Sequence, residues 1–246
     1  GETKDHGISV NQPQQDNSHV AADVIAAAPA ELNLSSYDGV IVATGFYKDT
    51  GGAQAMGSAN MQSKSGVVKN SMLIFGRGMV SWTNVVHETA HALFGLEDLY
   101  LFQKRDESGP QNSANFTAWD LMAGATPEFS GWNKLLMGFI HQVELRCVAK
   151  KTKRTVFLSA TNLVDGPKLG VVNVAPGVSN CFEARKDFDG KIGLLVYQVN
   201  TNFDHGNGPF WGEEELLKQG RSLDFEGSKF KVLATSSAGV LVQVNA

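Results

Sequence analysis

The stretch Val85–Tyr100, VVHETAHALFGLEDLY, carries two histidines and a glutamate at a spacing suited to metal-assisted hydrolysis. His87 and His91 are four residues apart. An α-helix turns about 100° per residue, so the two side chains fall about 40° apart on one face. Two imidazoles can then reach a single ion. Glu88 is one residue further round and points beside the ion, where a base for an activated water belongs. The plainer reading is a buried helix with two incidental histidines. By average composition, His-Glu-x-x-His arises by chance in roughly one chain in a hundred of this length. The neighbours favour the metal. Val86, Ala90 and Leu93 form an apolar stripe, with Val85, Ala92 and Phe94 beside it. That pattern predicts a buried helix, on which polar side chains need partners.

A catalytic zinc ion takes three protein ligands and leaves one position open. The third ligand must come from beyond the helix. Gly95 can end the helix in a left-handed conformation and turn the chain back towards the ion. Two acids follow, Glu97 and Asp98. In the zinc-peptidase signature H-E-x-x-H-x-x-G-x-x-H the last ligand falls three residues after the glycine, which favours Asp98. Counted from His91 instead, the match is Glu97, because Phe94 displaces the glycine by one. Further on, WDLMAG (Trp119–Gly124) places Met122 in a short turn, as in the Met-turn that floors the metal site of metzincins. Tyr100 is a weak candidate for a second oxyanion donor and reads better as packing.

These residues need a scaffold. Ser81 or Thr83 can cap the helix. The Ala-rich run His19–Ala28 before Pro29 predicts a helix, and the apolar runs Tyr37–Phe46 and Ser71–Gly76 predict strands. The Gly/Ser-rich stretch between them reads as a long loop or strand edge. Ser130–Ile140 has helical spacing. After about residue 145 come six short β-like runs: RTVFLSA, LGVVNVA, NCFEARKDF, IGLLVYQVN, KFKVLATSS and GVLVQVNA. The expected fold is α+β: a catalytic domain over residues 1–145, with a twisted sheet and the active-site helix, and a sandwich- or barrel-like β region over 146–246.

HETAHALFGLEDLY, WDLMAG and PEFSGWNKLLMGFI together resemble the immune inhibitor A-like secreted metallopeptidases, which are zincins with a metzincin-like site. The likeness spans about residues 38 to 140, and NCFEARKDFDG and GLLVYQVNT resemble the β-rich region that follows. It implies a zinc endopeptidase with ligands His87, His91 and Asp98, Glu88 as general base and Met122 in the Met-turn. It also implies secretion and a protein or peptide substrate. Two departures stand out: Phe94 is inserted before Gly95, and Glu97 replaces a common proline.

Composition narrows the alternatives. The chain has 246 residues, is 42% hydrophobic and 19% charged, and has a net charge of −4 with pI about 5.9. That is no footprint for nucleic acid. No apolar run approaches the ~20 residues of a membrane span. The start, GETKDHGIS, lacks the apolar core of a signal peptide, which a processed chain would have lost. Cys147 and Cys181 have no metal-like spacing, and a bridge between them is as expected as its absence if the chain is secreted. Calcium, common among secreted zinc peptidases, has no D-x-[DN]-x-[DN]-G loop here. His205, beside Asp204 and Asn207, is a weak cation-loop candidate. The rival function is a catalytically silent zincin-fold binding module, with Phe203, Phe210 and Trp211 as its aromatic patch. A zinc hydrolase of non-peptide bonds is a third reading.

Overall fold

The computed structural model describes residues 18–44, 52–56, 60–75, 82–99, 118–124, 126, 128–202, 210–212 and 215–246. The chain is mixed α+β, mostly sheet with a few helices. Among the described residues, no helix is long and apolar enough to cross a membrane. Two compact units divide between Leu96 and Glu97. The boundary expected near residue 145 therefore falls inside the second unit.

In the first unit, helix α1 (Ser18–Ala27) stops just before Ala28–Pro29, where the proline ring disfavours helical backbone for its predecessor. Strands β1 (Val40–Thr44), β2 (Gly52–Ala55) and β5 (Ser71–Phe75) form a sheet in the order β1-β5-β2. β1 runs parallel to β5, with Val42 opposite Leu73, and β2 runs antiparallel to β5, with Ala55 opposite Met72. β3 (Met61–Ser63) and β4 (Gly66–Val68) make a separate hairpin. One core joins these pieces: Val20, Ala21 and Ile25 of α1 bury against Val42, Met56, Met61, Val68 and Leu73. The unit ends with α2 (Trp82–Phe94).

The second unit opens with a turn-rich segment that includes α3 (Gly131–Leu136). The Ser130 hydroxyl caps α3 by accepting from the Asn133 N–H, and Gly138, at φ +79°, lies just past its end. This is shorter than the helix expected over 130–140. Among the described residues, nine strands follow. β6 (Leu145–Val148), β8 (Leu169–Ala175), β9 (Val178–Lys186), β10 (Ile192–Asn200) and β11 (Phe210–Gly212) form one sheet, ordered β11-β10-β9-β8-β6. β7 (Lys153–Ser159), β12 (Ser222–Phe225), β13 (Ser228–Ser236) and β14 (Gly239–Asn245) form the other, ordered β12-β13-β14-β7. Alternate residues of both sheets interleave in one core, including Phe182, Leu194 and Val196 from the first and Leu158, Phe230 and Val242 from the second. This is a sandwich.

β9 is buried on both faces from Asn180 to Arg185. Side chains alternate along a strand. Phe182 and Ala184 enter the sandwich core, so Cys181, Glu183 and Arg185 point the other way. There the segment 118–133 covers them. Glu183 Oε2 accepts from the Gly131 N–H at 2.9 Å, and Arg185 donates to the carbonyls of Phe129 and Trp119, each at 2.9 Å. Cys147 is exposed, Cys181 is buried, and both are free. Register explains why: Val171 of β8 stands between them, opposite Cys147 on one side and Cys181 on the other. Two strand spacings separate them by about 10 Å, beyond the ~7 Å that a disulfide tolerates.

Candidate metal centre

Helix α2 carries His87, Glu88 and His91, all half-buried. Ser81 lies outside the described residues, and Thr83 sits inside the helix. The expected apolar stripe is only partly buried. Ala90 and Ala92 are covered, Val86 is half-covered, and Leu93 and Phe94 stay 39% and 41% exposed.

Past Phe94 the chain reverses through Gly95, whose φ is +65°. The Gly95 N–H donates to the His91 carbonyl at 3.0 Å, the bond of a left-handed helix cap. The Leu96 N–H donates to the Ala90 carbonyl at 3.3 Å. This folds the Leu96 carbonyl back over the helix end, where it accepts from His91 Nδ1 at 2.5 Å. That bond puts the ring proton on Nδ1 and leaves the Nε2 lone pair facing outward, as a metal ligand requires.

His91 Nε2 lies 3.0 Å from His87 Nε2, with the rings 4.7 Å apart and nearly perpendicular. Among the described residues, His87, His91 and Asp98 form a group whose ligand atoms all lie within 4.8 Å of one another. They belong to one continuous stretch, the helix and the turn leaving it. Asp98, not Glu97, lies within the group.

The donor set fits a divalent ion. Two nitrogens bound tetrahedrally at about 2.0–2.1 Å lie about 3.3 Å apart, close to the spacing seen. Two neutral imidazoles and a carboxylate leave one positive charge on such an ion and a fourth position open. A proton shared between the two rings would also hold them together, and metal analysis separates the two cases.

Glu88 points elsewhere. Its Oε2 accepts from the Ala55 N–H at 2.5 Å. Met56 sends its N–H to Ser71 of β5, so the Ala55 N–H faces the other side, where β2 has no strand neighbour among the described residues. Glu88 is thus pinned beside β2.

In the second unit, Trp119, Asp120, Leu121, Met122 and Ala123 are all buried, Met122 completely. The Ala123 N–H closes a turn onto the Asp120 carbonyl at 3.0 Å, which places Met122 in the turn that its motif suggested. The Met122 carbonyl accepts from the Leu99 N–H at 2.9 Å, directly after Asp98. The Asp120 carboxylate takes the Met122 N–H at 2.7 Å on Oδ1, and the Ser130 N–H at 2.7 Å and Asn133 Nδ2 at 3.0 Å on Oδ2. Burial pushes this carboxyl above its usual range, against the pull of those donors.

Three participants escaped the sequence: the Leu96 carbonyl, the Ala55 N–H and the Asp120 carboxylate. The first two are backbone atoms that no residue type announces. Asp120 stood in plain view in the Trp-Asp-x-Met stretch. Tyr100, Phe203, Asp204, His205 and Asn207 lie outside the described residues, and of Phe210 and Trp211 only the backbone strand is described. Comparisons with known proteins return nothing: no family model, no curated protein and no solved structure matches the chain.

Proposed function

We propose that this chain is a zinc-dependent endopeptidase of zincin type, with zinc held by His87, His91 and Asp98 and Glu88 as general base. The supporting observation is the group of two imidazoles and a carboxylate, with Glu88 next to His87 on the same helix and its carboxylate held by the Ala55 N–H. When bound, zinc would lower the pKa of its water to about 7 and polarise the scissile carbonyl. His91 presents Nε2 because the Leu96 carbonyl holds its other nitrogen. Glu88 takes the proton from the attacking water and passes it to the leaving amine. Its anchored Oε2 fixes the carboxylate, and Oε1 carries the proton.

The edge position of β2 favours a peptide over other substrates. Ala53 faces its backbone N–H and C=O, and Ala55 its C=O, to the side away from β5, while the Ala55 N–H is held by Glu88. An extended peptide can add there as a further strand beside Glu88. Secretion belongs to the same reading and rests on the resemblance alone. The test is Glu88→Gln, which keeps the shape and removes the base. The variant is expected to retain zinc and lose at least about 100-fold in cleavage of unfolded casein. Full cleavage by the zinc-loaded variant would rule Glu88 out as the base.

A further inference from the structure

Asp120 has no exposed surface, yet it carries a carboxylate that burial disfavours. A turn alone does not need one, since a serine or asparagine could close it. The carboxylate's two oxygens serve separate stretches. Oδ1 fixes the peptide of Met122, while Oδ2 fixes Ser130 and Asn133 at the start of α3. Asparagine offers a single acceptor oxygen and would turn a donor towards the others. Arg185, 3% exposed on β9, holds the same segment from outside, with one guanidinium nitrogen on the Trp119 carbonyl and the other on that of Phe129. The Met122 N–H is therefore gripped by the Asp120 carboxylate, and the next peptide, whose carbonyl accepts from the Leu99 N–H, is held at the Ala123 N–H by the Asp120 carbonyl.

We propose that Asp120 is a positioning residue for the metal ligand Asp98, acting through the Met122–Leu99 hydrogen bond, with Arg185 clamping the segment to β9. The inference rests on the zinc reading above. The carboxylate fixes the peptide entering Met122, and together with the Asp120 carbonyl on the Ala123 N–H it limits rotation of the peptide that follows. A fixed Met122 carbonyl fixes the backbone of Leu99, and the Asp98 carboxylate hangs from the adjoining residue. Ligand sites held to within a fraction of an ångström bind ions tightly, and outer partners commonly set affinity by about 10–100-fold. The β sandwich is then part of the metal site's support.

The experiment compares zinc affinity, by competition with a chromophoric chelator, in the full-length wild-type chain, Asp120→Asn and a control, Val242→Ala in the sandwich core. All are measured well below their melting temperatures. Asp120→Asn is expected to weaken zinc by about 10–100-fold. In the metal-free protein it should also speed amide hydrogen exchange at Leu99 and Met122. Val242→Ala should melt earlier and keep zinc affinity within about twofold of wild type, since it lies away from the segment. If Asp120→Asn does not fold, Arg185→Lys replaces it, keeping the charge but not the fork across two carbonyls, with the same signs expected. Unchanged affinity in the folded variant, or equal weakening in the control, would overturn the positioning role while leaving the endopeptidase reading intact. A wild-type chain that binds no zinc would overturn both.

Discussion

At the scale of single residues, the candidate site depends on one left-handed glycine. Gly95 ends α2 and brings the Leu96 carbonyl to His91 Nδ1. A Cβ added at Gly95 would meet nothing within 4 Å, so Gly95→Ala carries a conformational cost and no clash. Alanine in left-handed backbone costs about 1 kcal/mol. In a chain of this size that lowers the melting temperature by about 2–4 °C. Zinc affinity should fall several-fold with it, because the carbonyl that fixes the His91 tautomer shifts. Gly95→Asn, which tolerates left-handed backbone, should retain most of both. Thermal melts and chelator competition decide, and an unaffected Gly95→Ala would show that the turn does not tune His91.

At the scale of elements, the sequence was a good guide where a period repeats and a poor one where tertiary pairing decides. His87 and His91 could be placed on one face because helical geometry fixes residues four apart. Asp98 could not be separated from Glu97 by counting, because a left-handed residue resets the chain's direction. The burial of Leu93 was misjudged, since hydrophobicity alone does not say which face of a helix meets a partner. Each of the six β-like runs after residue 145 falls on a strand, four of them overrunning its end by one or two residues. The six-residue buried run in β9 looked like an ordinary core strand. It is buried on both faces: Phe182 and Ala184 enter the sandwich core, while Glu183 and Arg185 reach the backbone of residues 119, 129 and 131. β2, β3 and β4, each three or four residues long, hid in a Gly/Ser-rich stretch. Strands so short exist through pairing and leave little pattern.

At the scale of the molecule, the chain divides into compact units at Leu96/Glu97, and the change of texture near residue 145 lies within the second of them. Glu183, Arg185 and Tyr197 tie the two parts of that unit together: all three reach from the sandwich to backbone atoms of residues 119, 129, 131 and 132. This buried layer has a pH signature. Burial pushes the Tyr197 hydroxyl well above its usual 10.0, with Glu183 and Cys181 adding to the shift. Burial likewise pushes the Cys181 thiol well above 9.0, with Glu183 adding. Both folded values exceed the unfolded ones, so the stability they lend is complete below about pH 9 and is lost as the pH rises. The denaturant midpoint should therefore fall from about pH 9 upward. Tyr197→Phe, though less stable for losing the acceptor of the Trp132 N–H, should show a shallower fall, as should Cys181→Ala. Slopes identical to wild type in both variants would contradict the account.

The central claim concerns an ion, and its most direct test is elemental analysis of the purified, dialysed chain beside His91→Ala, Asp98→Ala and Glu97→Ala. The account predicts one zinc per wild-type chain, retained in Glu97→Ala and lost from the other two. Metal-free wild-type protein, or zinc that survives removal of His91 or Asp98, would contradict it.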